Sequence, residues 1–183
     1  MSCMPSSSLA HAQACATIRT TALTPIFGAC VHGLNLQDPQ PDEVVTKLRD
    51  LLLEHRLLLF KQGPARLLSG ERQVEISKWF GQLDSTFYRH PRSPHPDVFR
   101  VSNDEAEGCT RVGRSGWHID GSFQATPFKV QTMHFLSVVD GGATLFSPLT
   151  EVIDALPAQT RAEWEQLSFV GSGDRVHPLI YAH

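Results

Sequence analysis

The chain has 183 residues, 41% of them hydrophobic and 19% charged, which is enough for one folded domain with a core of its own. A formal net charge of −3, with nine histidines counted neutral, excludes the basic footprint of a nucleic-acid or anionic-membrane binder, and apolar runs such as 51–53 and 57–60 fall far short of a bilayer span. Cys3, Cys15, Cys30 and Cys109 form no C-x-x-C pair, so the chain reads as a protein of a reducing, cytoplasmic compartment without a disulfide framework or zinc knuckle.

Residues 1–20 are rich in Ser and Ala, and Arg19 is the only Lys or Arg before the first acidic residue, Asp38. They read as a disordered leader, with an organelle transit peptide as the alternative, and 21–183 as the folded part. Small and apolar residues with two glycines at 25–36 predict a short strand and turn. Pro41 and Asp42 open a helix whose positions Val44, Leu48, Leu51, Leu52 and His55 share one face. The apolar run 57–60 is a buried strand. Ser69 is the N-cap of a second helix that turns Ile76, Trp79 and Phe80 inward and ends at Gly81.

Residues 84–116 are mostly Pro, Asn, Gly, His and Arg, the composition of a lid or binding loop, with a single strand at 98–101. Alternation predicts a long strand at 128–139 and a shorter one at 143–146. Ser147-Pro148 opens a helix to Leu156, and Pro157 opens another through Leu167. There is no internal repeat.

The sharpest chemical feature is Trp117-His118-Ile119-Asp120. On a strand, residues two apart share a face, so His118 and Asp120 can reach one metal ion together. An imidazole and a carboxylate are two parts of a 2-His-1-carboxylate facial triad, which leaves adjacent coordination positions open. A bare H-x-D is a weak signal, equally well a surface histidine and a turn aspartate.

Context strengthens it. Gly116-Trp117-His118-Ile119-Asp120-Gly121-Ser122-Phe123 with Thr126-Pro127, then Gly141-Gly142-Ala143-Thr144-Leu145-Phe146, closely resembles the W-H-x-D-x-[ST]-F…P and G-G-x-T-x-[WF] elements of the TauD/TfdA (taurine dioxygenase) family. Asp154-Ala155-Leu156-Pro157 follows as that family's helix end does. Upstream, His32-Gly33-Leu34-Asn35-Leu36, the run 57–60 and Trp79-Phe80-Gly81-Gln82-Leu83 are similar to its opening turn, second strand and F-G-x-L helix end. The resemblance covers about 21–183.

The resemblance implies a mainly β fold with flanking helices, a double-stranded β-helix (jelly-roll, cupin-like) incomplete at its C-terminus. It implies an Fe(II)- and 2-oxoglutarate-dependent oxygenase that uses O2 to hydroxylate a small organic substrate, releasing succinate and CO2. His118 and Asp120 match the iron ligands, and Thr144 the threonine whose hydroxyl bonds the 2-oxoglutarate carboxylate. Without the Gly-Gly context, Thr144 is simply a β-branched strand residue. The family's distal histidine, and the arginine about ten residues beyond it that forks onto 2-oxoglutarate, have no counterpart here. The chain closes on residues 176–183, VHPLIYAH, similar to the segment that precedes that histidine. His177 and His183 are weak substitutes for it, since no arginine follows.

His134 alternates with Met133 and Phe135 and reads as a hydrogen-bonded wall residue. His90 and His95 fall in the Pro/Arg-rich loop, and Arg111 and Arg114 stand where an anionic substrate could meet them. Besides the oxygenase stand two other readings: a truncated, non-catalytic form that binds a partner, and, less supported, a mononuclear metal hydrolase.

Overall fold

The computed structural model describes residues 17–61, 63, 67–84, 88–110, 112, 116–171 and 175–181. Two compact units divide the chain: residues 1–109 with 132–139, and residues 110–131 with 140–183.

The first unit is built on a three-stranded sheet, β1 (Arg19–Ala22), β2 (Ala29–His32) and β3 (Leu58–Phe60), in that spatial order. β1 and β2 are antiparallel, with Arg19 opposite His32 and Ala22 opposite Ala29. β2 and β3 are parallel, Ala29 facing Leu58, and a parallel pair needs a crossover between its strands. Helix α1 (Asp42–His55) supplies it. Asp42 and Glu43 lie in the first turn, where the positive end of the helix dipole favours them. Arg56 ends the helix in the left-handed conformation (φ 61°), its N–H bonding the Leu52 carbonyl and its guanidinium the Ile26 carbonyl at 2.7 Å.

The apolar face of α1 closes the core. Val44 and Leu48 are fully buried with Ile18 and Val31, and Leu34, Leu51, Leu58, Phe60 and Trp79 pack against them. Burial of a Val or Leu side chain contributes about 1.5–3 kcal/mol. Ile18 is thus a core residue, and β1 begins at Arg19, ahead of the order expected from residue 21. Residues 1–16 of the expected leader lie outside the described residues.

Helix α2 (Gly70–Lys78) begins as Ser69 predicts: its hydroxyl accepts the Arg72 N–H at 3.2 Å. Ile76 and Val74 are buried, and so is Arg72. That guanidinium lies over the Trp79 ring, donates to the Leu36 carbonyl at 2.6 Å and to the Asp38 carbonyl, and pairs with Glu75 at 2.6 Å. A buried cation needs such partners, and the loop after β2 is held by them. Residues 98–101 form no strand: Val101 makes one isolated bridge to Cys109, and Arg100 pairs with Glu107 at 3.0 Å.

The second unit contains helices α3 (Leu149–Asp154) and α4 (Ala158–Trp164) and a hairpin of β4 (Ser168–Val170) with β5 (Val176–Pro178), Phe169 opposite His177. Both helices start where Pro148 and Pro157 place them. The strands expected at 128–139 and 143–146 do not form. An alternating apolar segment becomes a strand only beside a partner edge, and no neighbouring strand pairs with either among the described residues. Met133, Phe135, Val138 and Leu145 stay exposed. No helix among the described residues is long and apolar enough to cross a membrane.

Candidate metal-binding site

His118 and Asp120 belong to the second unit. They do not lie on a strand, as the two-residue spacing predicts; the chain turns there. The cause is local. Gly116 (φ 87°) and Gly121 (φ 79°) flank the pair in the left-handed region, which interrupts an extended path. Ser122 N–H bonds the Ile119 carbonyl at 3.3 Å and Gln124 N–H the Gly121 carbonyl at 2.8 Å, completing the turn. A Cβ at Gly121 would fall 2.7 Å from the Phe128 nitrogen, so this position admits only glycine without movement. Phe128 meets Phe123 edge-on, ring centroids 6.2 Å apart, beneath the turn.

The turn brings the two side chains together all the same. His118 Nε2 lies 3.2 Å from Asp120 Oδ1. His118 Nδ1 is 2.8 Å from the Gly116 carbonyl, which can only accept, so Nδ1 carries a proton and Nε2 is the nitrogen aimed at the carboxylate. A ring lone pair and a carboxylate oxygen at that distance attract only if something positive stands between them, a proton or a metal ion. Two ligand atoms each about 2.0–2.2 Å from one ion and at right angles lie about 3 Å apart, the spacing seen here. With side chains 45% and 36% exposed, both donors are open to an incoming ion.

Thr144 is exposed in an irregular stretch of the same unit, and no hydrogen bond ties it to the pair. His177 donates from Nε2 to the Ser122 carbonyl at 3.1 Å, a contact that the sequence offers no signal for. No third His, Cys, Asp or Glu completes a cluster with His118 and Asp120 among the described residues. His134 is in the first unit; its Nδ1 is buried without a partner, and burial lowers its pKa, so the hydrogen-bonded wall residue expected there is not what the structure shows. His90 donates to the Glu105 carbonyl and accepts from the Arg92 N–H, and His95 accepts from the Asp97 N–H, so both serve the loop's own structure. Arg111, Arg114 and His183 lie outside the described residues.

The family model described as "Taurine catabolism dioxygenase TauD, TfdA family" matches residues 19–178. An alpha-ketoglutarate-dependent 2,4-dichlorophenoxyacetate dioxygenase of Cupriavidus pinatubonensis is 26% identical over 160 residues, 79% of this chain and 55% of that protein. An alkylsulfatase of Acinetobacter baylyi is 27% identical over 155 residues, 83% of this chain and 46% of that protein. The chain spans about half the length of these curated relatives. Among solved structures, a putative alpha-ketoglutarate-dependent taurine dioxygenase from Burkholderia xenovorans superposes with a TM-score of 0.63 at 22% identity, covering 91% of this chain and 61% of its own. A taurine dioxygenase from the same organism gives 0.59 at 21%, covering 91% and 59%. AAD-2 in complex with Mn(II) and N-oxalylglycine gives 0.51 at 20%, covering 81% and 50%. These structural likenesses establish a shared fold, and with the family match over most of its length, the chain belongs to the TauD/TfdA family of non-haem iron, 2-oxoglutarate-dependent dioxygenases.

Proposed function

We propose that this chain carries two iron ligands, and the co-substrate threonine, of an Fe(II)- and 2-oxoglutarate-dependent oxygenase of jelly-roll fold. The observation that carries the reading is the His118 Nε2–Asp120 Oδ1 approach of 3.2 Å, with the other ring nitrogen engaged by Gly116. His118 and Asp120 would hold the metal and Thr144 would donate its hydroxyl to a carboxylate of 2-oxoglutarate. Bound iron would supply the activation of O2, with release of succinate and CO2 and hydroxylation of a small organic molecule.

The chain's own residues set up this chemistry. The Gly116 carbonyl holds His118 Nδ1 and so orients the ring with Nε2 towards Asp120. Gly121 permits the sharp turn after Asp120. The relatives' names mention a phenoxyacetate and taurine, and an alkylsulfatase acts on alkyl sulfates, so the proposed substrate class is a small organic acid.

The test is anaerobic loading with Fe(II), followed by metal affinity and succinate formation from 2-oxoglutarate. The 183-residue chain should bind metal weakly, through two protein ligands and water, and turn over little or not at all. A longer form with a downstream histidine and arginine, where the gene encodes them, should produce succinate. Bidentate charge-assisted contacts of that arginine's kind contribute about 1.5–3 kcal/mol per bond. His118→Ala should abolish both binding and turnover. Metal binding that survives both His118→Ala and Asp120→Ala sinks the proposal.

A further inference from the structure

We propose that His177 is a positioning residue for the metal pair: from β5 it holds the Ser122 carbonyl, and so sets the direction of Asp120 relative to His118. This rests on the metal-binding reading above.

The argument starts at Gly121. A glycine directly after Asp120 leaves that residue's direction weakly determined by its own backbone, since glycine is free in both halves of conformational space. The turn's internal bond from Ser122 N–H to Ile119 is long, at 3.3 Å. On the N-terminal side the pair is restrained by His118 Nδ1 on the Gly116 carbonyl. On the C-terminal side the restraint comes from the hairpin, in the same unit. His177 Nε2 lies 3.1 Å from the Ser122 carbonyl in a half-buried setting. The hairpin also reaches that carbonyl at a second point: a Cβ on Gly171 would stand 3.4 Å from the same oxygen. β5 is in turn held to β4 by pairing of Val176 with Val170 and by Gly171 N–H on the Arg175 carbonyl at 2.7 Å.

The donor direction decides what His177 can be. A carbonyl oxygen only accepts, so Nε2 carries a proton and is not a metal donor. His177 therefore acts on the site through Ser122 and is not its third ligand. Groups that hold metal-binding residues in place are worth about 10–100-fold in metal affinity when removed.

The experiment uses the full chain with Co(II) as the probe, read by its visible absorption, beside the melting temperature of each variant. Nitrogen-15 spectra of the histidines, recorded without metal, should find His177 protonated at Nε2 and bare at Nδ1; a proton at Nδ1 alone overturns the proposal. His177→Leu should weaken Co(II) binding by about tenfold, whereas His177→Gln, whose amide nitrogen can take the place of Nε2, should stay close to the wild type. Should the leucine variant fail to fold, His177→Asn replaces it, its amide being too short to reach Ser122. Wild-type affinity in the leucine or asparagine variant, or equal loss in the glutamine and asparagine variants, overturns the positioning role. A wild type that binds Co(II) no better than His118→Ala overturns the metal reading itself, which separates the two failures.

Discussion

The two units differ in where their apolar residues go. In the first, β1, β2, β3, α1 and α2 enclose Ile18, Val31, Val44, Leu48 and Ile76 within elements close in sequence. In the second, neither α3 nor α4 buries a residue, β4 is exposed throughout, and Trp117, Leu145 and Val170 are 72%, 71% and 65% exposed. Every buried hydrophobic residue described belongs to the first unit, while the proposed metal pair, Thr144 and His177 all belong to the second. The buried core and the proposed metal site thus lie on different stretches of chain, and a substitution should report on one or the other.

The largest effect should come from the core of the first unit. Leu48→Ala removes a side chain that is 1% exposed and should cost about 2–5 kcal/mol in denaturant unfolding, whereas Val170→Ala in the second unit should stay within about 0.5 kcal/mol. Equal losses would dissolve the contrast. An intermediate pair uses glycine. Gly33 has φ 81° and a Cβ there would lie 2.1 Å from the Thr17 carbonyl, so Gly33→Ala should cost about 2–3 kcal/mol through strain and clash together. Gly141 has φ 83° but open space around it, and its alanine variant should lose only about 1 kcal/mol. Thermal melts of the two variants sharpen the comparison directly.

The smallest effect concerns His134. Burial lowers its pKa from the ordinary 6.5, so as pH falls through that value the unfolded chain takes up the proton before the folded one. The first unit's stability is therefore whole above about pH 6.5 and declines as pH falls towards the folded-state value. Replacing His134 with Leu should reduce the difference in melting temperature between neutral and mildly acidic buffer. An unchanged difference would show that another histidine governs it.

Much of the first unit is legible in the sequence because its signals are local. The period of Val44, Leu48 and Leu51 and the start at Asp42 give α1, Ser69 gives the start of α2, and the apolar run 57–60 gives β3, which is half-buried with Leu59 exposed where a buried strand is expected. Arg72 is not legible, since its burial depends on carbonyls more than thirty residues away. In the second unit the prolines mark α3 and α4. Alternation at 128–139, most of it in the first unit, and at 143–146 mispredicts strands, because a strand requires a partner that a period cannot report. The H-x-D pair stands out in the sequence, but its geometry does not. The flanking glycines make a turn where spacing alone predicts a strand, and the side chains converge by a different route. His177 is noticed in the sequence only as a weak substitute for the distal histidine; its bond to the Ser122 carbonyl is long-range and leaves no mark there.

The parallel pairing of β2 with β3 through α1 also bears on the order in which the protein is made. Every member of the core cluster, from Ile18 to Trp79, is encoded ahead of His118. Chains are synthesised N-terminus first at about 5–20 residues per second, so the ribosome delivers a complete set of core residues some seconds before His118, the first of the two proposed iron ligands. Contacts close in sequence also form fastest. Translation order and contact order favour the same sequence of events, a scaffold that can close before the proposed metal site exists.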